Sequence, residues 1–142
     1  LEAERSDEVL ERIRNSFPEY AGRMFELLAA DLIRKKILFP DIHFTRLGRW
    51  WHREQEIDIV GLDEGSDRIM FCECKWSDLS PSEVRQVLSS LERKAADVRW
   101  RNDQRQELYC LIGKHIGGKE DLRTEGYRVC DLDDIPLDLH EL

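Results

Sequence analysis

The stretch from residue 56 to residue 75 reads EIDIVGLDEGSDRIMFCECK and decides the fold. Branched and aromatic residues typical of strands occupy both ends, and turn-forming residues occupy positions 64–67. This pattern predicts a β-hairpin whose loop length fixes the register of the two strands. The predicted opposite pairs are Asp63 with Arg68, Asp58 with Glu73, and Glu56 with Lys75.

The pairs Asp58–Glu73 and Glu56–Lys75 indicate a possible metal-dependent catalytic site. Like charges directly opposite each other on paired strands repel, so Asp58 facing Glu73 is unfavourable unless a divalent cation such as Mg²⁺ lies between them. Side chains alternate along a strand, so Lys75 shares a face with Glu73, while Cys72 and Cys74 point to the other face. A lysine there can position a water or offset charge on a phosphate. The alternative is a plain hairpin with one salt bridge and an exposed Asp58.

Helices and further strands are predicted around the hairpin. A capping-box sequence at 16–19 predicts a helix from residue 17 to about residue 36 that is largely buried. A second capping box at 80–83 predicts a long helix that ends at about residue 100. The remaining predicted elements are strands at 43–51, 108–112 and 127–131 and a short helix at 119–124.

The order of these elements predicts an α/β fold, a mixed β-sheet of about five strands flanked by helices. The order is helix, three strands, helix, strand, helix, strand. Residues 17–142 form the predicted domain, and residues 1–16 form an amphipathic arm or interdomain linker. The arm places Val9, Leu10 and Ile13 at helical spacing, and this apolar face needs a partner.

Charge and hydropathy limit the function without deciding it. The 142 residues carry a net charge of −8, of which residues 1–20 hold −3 and residues 131–142 hold −5. The middle of the chain balances 19 acids with 19 bases, so composition neither supports nor excludes DNA binding. No apolar run approaches the roughly 18 residues of a membrane span, and we expect a cytoplasmic protein. The start at Leu1 suggests a piece of a longer protein.

Two other motifs are weaker. The four cysteines lack the C-x-x-C pairs of a structural zinc site, so we expect buried free thiols. Residues 113–119 match a phosphate-binding loop, but Glu120 replaces the Ser or Thr that would bind Mg²⁺, and a nucleotide hydrolase is therefore rejected.

Basic side chains suggest a nucleic-acid groove. Arg46, Arg49 and Arg53 lie on the predicted strand directly before the metal strand, where we expect them to contact phosphates. Lys94 lies near the edge of the apolar face of the long helix. It is either a phosphate contact or a lysine whose stem covers apolar surface.

A longer pattern resembles a known family. The runs GRWWHREQEIDIV at 48–60 and FCECKW at 71–76 resemble the C-terminal domain found behind the ATPase module of archaeal AAA-type ATPases. That domain is similar to the PD-(D/E)XK nuclease superfamily, which includes the archaeal Holliday junction resolvases and many restriction endonucleases. The resemblance covers most of residues 17–135, and Ile57 stands where the superfamily pattern has proline.

The resemblance implies a restriction-endonuclease-like fold and a role for each site residue. Asp58 and Glu73 match the metal-binding acids, and Lys75 matches the catalytic lysine. The backbone carbonyl of Cys74 matches a further metal ligand. Glu26 matches the glutamate of the first helix, which implies a water-mediated metal contact. On pattern alone, Glu26 forms only a surface ion pair with Arg23, three residues before it.

Two functions therefore compete. The first is a Mg²⁺- or Mn²⁺-dependent nuclease that hydrolyses DNA phosphodiesters, joined to an ATPase domain in the full-length chain. The second is a catalytically silent module of the same fold that serves the ATPase as a platform for DNA or a protein partner. The sequence leaves open whether the chain forms a homodimer.

Overall fold

A five-stranded sheet with helices on both faces forms the core of the protein. The structure, a computed structural model, describes residues 2–136, with side chains from residue 7 onward except at positions 13 and 14. The element order confirms the predicted α/β class. The elements are α1 (Glu2–Arg34), β1 (Arg46–His52), β2 (Gln55–Asp63), β3 (Arg68–Leu79), α2 (Pro81–Ala95), β4 (Gln106–Ile116), α3 (Lys119–Thr124), β5 (Arg128–Cys130) and a 3-10 turn (Leu132–Asp134).

The sheet is mixed, and its strands lie side by side in chain order. β1, β2 and β3 form an antiparallel meander joined by short turns. β3, β4 and β5 are parallel, and α2 and α3 make the crossovers that parallel neighbours require. The hairpin register is confirmed, since the β2–β3 pairs run from Asp63–Arg68 to Ile59–Cys72 as predicted.

Two apolar cores lie on opposite faces of the sheet. Under α1, the alternate residues Met70 and Cys72 of β3 pack with Cys110 of β4. Under α2, the intervening residues Ile69 and Phe71 of β3 pack with the helix. Alternation of side chains along β3 therefore supplies both cores from one strand. The four cysteines, Cys72, Cys74, Cys110 and Cys130, are free thiols, as predicted.

Helix α2 begins at the predicted capping box. The Ser80 hydroxyl accepts from the N–H of Glu83, and the Glu83 carboxylate accepts from the N–H of Ser80, each at 3.2 Å. These two bonds satisfy amides that have no partner within the helix. The helix ends at Ala95, about one turn before the predicted end.

The predicted start of this helix at residue 17 is wrong, because α1 continues from Glu2 to Arg34 with Pro18 inside it. Over its whole length α1 consists mostly of strong helix formers such as Ala, Glu, Leu and Arg, which sustain the helix through the amide that proline lacks. The Ser16–Glu19 sequence therefore does not start a helix. The assignment of residues 1–16 to an arm or linker and of residues 17–142 to a domain stays a prediction.

The expectation that this helix is largely buried is also wrong. Tyr20, Met24, Leu27 and Leu28 are 47% to 64% exposed, because α1 has a sheet on one side and, among the described residues, no second layer on the other. The side chains that α1 buries are Phe25, Ala29, Leu32 and Ile33. In the part of the chain that the structure describes, no helix is long and apolar enough to cross a membrane.

Candidate active site

The candidate site forms where the ladder between β2 and β3 ends. The last ladder pair is Ile59–Cys72, and two residues further along β3 the N–H of Cys74 donates to Asp58 Oδ2 at 2.9 Å. The Asp58 side chain thus takes over the hydrogen bond that backbone pairing no longer provides. Asp58 is held in place beside Glu73, the residue that the predicted register sets opposite it.

A β-bulge in β2 gives Asp58 its orientation. Between the flanking pairs of the β1–β2 ladder, β1 contributes one residue, Arg49, whereas β2 contributes two, Asp58 and Ile59. Such a bulge bends the strand and redirects a side chain. As a result, Ile57 packs in the core under α2 and Ile59 in the core under α1, although strict alternation would put both on one face. The flanking pairs are Gly48–Val60 and Trp50–Ile57.

Glu73 is the most buried acid of the site, with its side chain 5% exposed. Its Oε1 accepts from Lys94 Nζ of α2 at 2.8 Å, a contact that the sequence did not predict, and a phosphate contact by Lys94 stays a prediction. Burial and the neighbouring Asp58 carboxylate raise the pKa of Glu73 to about 7, although the Lys94 ammonium lowers it. One lysine therefore does not compensate the negative charge of this acid pair.

Glu26 brings a third carboxylate to the site from α1. Its partial burial and the Asp58 carboxylate raise the pKa of Glu26 above its usual value, while Arg49 and Arg23 lower it. Arg49 Nη2 lies 3.6 Å from Glu26 Oε2. The structure therefore brings Glu26 within electrostatic range of Asp58, and the cation closest to it is Arg49 of β1.

Lys75 lies two residues beyond Glu73 on β3, on the same face by alternation, and its side chain is exposed. Its ammonium forms no ion pair with any residue whose side chain the structure describes. The predicted pair of Lys75 with Glu56 is wrong. β2 stops pairing with β3 at Ile59, and Glu56 instead lies 3.6 Å from Arg49.

An open groove of about 250 Å³ lies beside the acids, between α1 and the β1–β2 ladder. Arg23, Arg34 and Arg49 line it together with Glu26 and Asp58. The sequence spaces Arg23, Glu26 and Arg34 along one polar stripe of α1, and this spacing is the signal that could have identified the groove wall.

The three arginines predicted on the first strand do not share one site. Arg49 borders the acids, whereas Arg46 lies 3.6 Å from Glu64, near the turn between β2 and β3. Arg53 lies in the turn between β1 and β2, with a left-handed φ of 58°. At about 3.3 Å per strand residue, Arg46 and Arg53 are roughly 20 Å apart along the strand.

A second acidic cluster lies at the C-terminal end of β4. Ligand atoms of His115, Asp131 and Asp133 lie within 4.8 Å of one another. Asp131 is buried, but it accepts from Lys119 Nζ at 2.8 Å and from the N–H of Ile116 at 2.9 Å. Burial alone would raise the pKa of Asp131, but the Lys119 ammonium and the backbone N–H groups outweigh it and lower the pKa.

Comparison with known proteins gives two findings. The DUF234 family, described as archaeal and bacterial proteins of unknown function, matches residues 1–87. An uncharacterized protein of Methanocaldococcus jannaschii is 33% identical over 113 residues, which are 78% of this chain and 25% of that protein. The chain thus spans about a quarter of the length of this relative. No solved structure matches the chain.

Proposed function

This chain belongs to the DUF234 family of archaeal and bacterial proteins, to which no function is assigned, and we propose that it is a Mg²⁺- or Mn²⁺-dependent nuclease domain that hydrolyses DNA phosphodiesters. The observation that carries the proposal is the pairing of the buried Glu73 with the half-buried Asp58, since burial and this neighbouring carboxylate together raise the pKa of Glu73 to about 7. A sheet that needs no cation has no use for such a pair.

The donor set fits a hard divalent cation. Carboxylate oxygens are the ligands that Mg²⁺ prefers, and Asp58 and Glu73 supply them side by side. We assign these two residues as direct ligands, with Glu26 acting through a water and the Cys74 carbonyl as a further ligand, as the family resemblance implies. When bound, the ion lowers the pKa of a water and offsets negative charge on the scissile phosphate.

The chain's own cations complete the proposed site. The exposed Lys75 ammonium is free to orient the attacking water or to stabilise charge that develops on the phosphate. Lys94 holds Glu73 in position at 2.8 Å. The groove arginines Arg23, Arg34 and Arg49 offer contacts to the neighbouring phosphates of a DNA strand.

The resemblance to nuclease domains of archaeal ATPases extends the proposal to the whole protein. The aligned segment is a quarter of its M. jannaschii relative, which leaves room there for a domain of ATPase size. We propose that an ATPase domain accompanies this domain in the longer chain and that both act on DNA in the cytoplasm. A silent platform for the ATPase is the second candidate, and the exposed apolar stripe of α1 favours it.

The test is cleavage of labelled linear, flapped and four-way DNA with Mg²⁺, Mn²⁺ or EDTA. We expect metal-dependent cutting that falls at least about 100-fold in Asp58→Asn and Lys75→Ala, because losing one preorganised charge costs this much in similar sites. Asp133→Asn, an exposed carboxylate of the second cluster, is the matched control and should cut normally. Absence of cutting would favour the platform, and cutting that survives Asp58→Asn would contradict the assignment of Asp58 as a metal ligand.

A further inference from the structure

Helix α1 presents a row of apolar side chains to solvent. A contiguous apolar row marks an interaction site, whereas single exposed apolar residues are ordinary. Elsewhere in the described chain, the large apolar side chains with comparable exposure are Trp51 and Trp76. The stripe consists of Val9, Leu10, Phe17, Tyr20, Met24, Leu27 and Leu28, each 47% to 64% exposed.

The domain's own core cannot cover this stripe. At 3.6 residues per turn, the centre of the stripe lies roughly 130° around the helix from the buried row that packs on the sheet. That buried row begins at Phe25, and every described side chain from 7 to 20 is exposed. The helix therefore extends about 30 Å beyond its last support, at 1.5 Å per residue. Helices of this length gain most of their stability from packing, so α1 needs a partner.

The spacing of the stripe indicates what that partner is. Leu10, Phe17 and Met24 repeat every seven residues, and Tyr20 and Leu27 follow the second and third of them by three. In the sequence Ile13 completes the pattern after Leu10. This is the a and d pattern of a coiled coil over three heptads, and two like helices can bury it against each other. The same patch on two copies is self-complementary about a two-fold axis.

The area of the stripe matches this assignment. Seven side chains that are about half exposed, each with a total area on the order of 150–200 Å², offer roughly 700 Å² per copy. Two copies would then bury about 1,400 Å², which lies in the range of stable, specific interfaces.

We propose that the chain forms a two-fold homodimer in which the α1 helices of two copies pair along this stripe. The inference is independent of the nuclease proposal. The proposed dimer also affects the groove beside the acids, because Leu27 belongs both to the stripe and to the lining of that groove. The second copy therefore borders the groove and narrows the path by which a long substrate reaches the acids.

Light scattering on the 142-residue chain tests the proposal through its mass. We expect twice the 16.8 kDa of one chain, and we expect Phe17→Glu and Met24→Glu to give the mass of one. Asn15→Glu introduces the same charge on the opposite side of the same helix and should leave the dimer intact. Circular dichroism should show these monomers losing helix while the unfolding transition of the sheet remains.

A native chain that is monomeric at its highest soluble concentration would overturn the proposal and assign the stripe to another part of the longer protein. A dimer that persists in both Phe17→Glu and Met24→Glu would overturn it as well, because the interface would then lie elsewhere. If the glutamate variants fail to fold, Phe17→Ala and Met24→Ala remove the apolar contact without adding charge, and dissociation should still increase at least tenfold.

Discussion

Two clusters of carboxylates, each with one buried member, lie on the same sheet, and their charges are compensated differently. At the end of β4, Lys119 and Arg123 each form an ion pair with Asp134, and Lys119 also forms one with Asp131. Despite burial, these bonds and the backbone N–H groups lower the pKa of both aspartates. At the end of the β2–β3 ladder, burial and mutual repulsion instead raise the pKa of Glu73, and Lys94 is too little compensation.

The difference teaches that proximity of acids does not identify a cation site. His115, Asp131 and Asp133 have the tighter geometry, yet the cations and amides that Asp131 needs are already present. Asp58 and Glu73 have fewer cationic and N–H partners, so a bound cation would stabilise them more. The cluster at the end of β4 stabilises the fold. We propose that the unfavourable negative charge of Asp58 and Glu73 favours the binding of a metal ion.

The largest effect should come from removing charge in the compensated cluster. Asp131→Asn leaves the Lys119 ammonium without its closest acid, and we expect a loss of about 3 kcal/mol in the free energy of unfolding. Urea denaturation measures it. Asp133→Asn, at an exposed neighbouring position, should stay within about 0.5 kcal/mol of the native chain. Equal losses in the two variants would remove the distinction between the clusters.

Removing the negative charge of Glu73 should instead raise the free energy of unfolding. The folded pKa of Glu73, about 7, lies above the ordinary glutamate value of 4.5, so the stabilising contribution of its bound proton is complete below about pH 4.5 and lost as pH rises through 7. In metal-free buffer near pH 8, Glu73→Gln should therefore gain on the order of 1–2 kcal/mol. Thermal unfolding from pH 4.5 to 8 measures this. A variant that is less stable than the native chain throughout would contradict the account.

The hairpin shows how far the sequence predicts the site. Alternation and the turn at 64–67 suffice for the register that brings Asp58 to Glu73, because both are local properties. The bulge at Asp58 is a property of the β1–β2 pairing, which no local pattern encodes. Lys94 lies on α2, 21 residues after Glu73, and its contact with Glu73 depends on how α2 packs on the sheet.

Burial of α1 was predicted poorly for a different reason. The apolar residues at 20, 24, 27 and 28 resemble a core pattern, but their burial requires a second layer, and the described part of the chain provides none. Amphipathic spacing shows that a face will be covered without showing by what.

A smaller effect on stability should distinguish Lys94 from Lys75, the two lysines near the acids. Lys94→Met removes the ammonium 2.8 Å from Glu73, so metal-free stability near pH 8 should fall by about 1–2 kcal/mol. Combining it with Glu73→Gln should cancel most of the loss, because the uncompensated charge is then gone. Lys75→Met, at an exposed lysine without an ion pair in the described chain, should leave stability within about 0.5 kcal/mol.

The smallest expected effect is on the affinity for DNA in the groove beside Asp58 and Glu73. Arg49 lines the groove, and Arg49→Gln should weaken binding a few-fold and reduce the salt dependence by about one phosphate contact. Arg53, in the turn at the far end of β1, is the matched control, and Arg53→Gln should change neither. Fluorescence anisotropy with labelled DNA at several salt concentrations measures both. Equal effects would show that the groove is not the DNA path.

The central claim is tested most directly by calorimetric titration with Mn²⁺ near pH 8. The native chain and Asp133→Asn should each bind Mn²⁺ with the same affinity, and Asp58→Asn should show at least about a tenfold loss of affinity, since a carboxylate ligand is removed. Binding that is lost in Asp133→Asn but retained in Asp58→Asn would contradict the account, as would a native chain that binds no Mn²⁺.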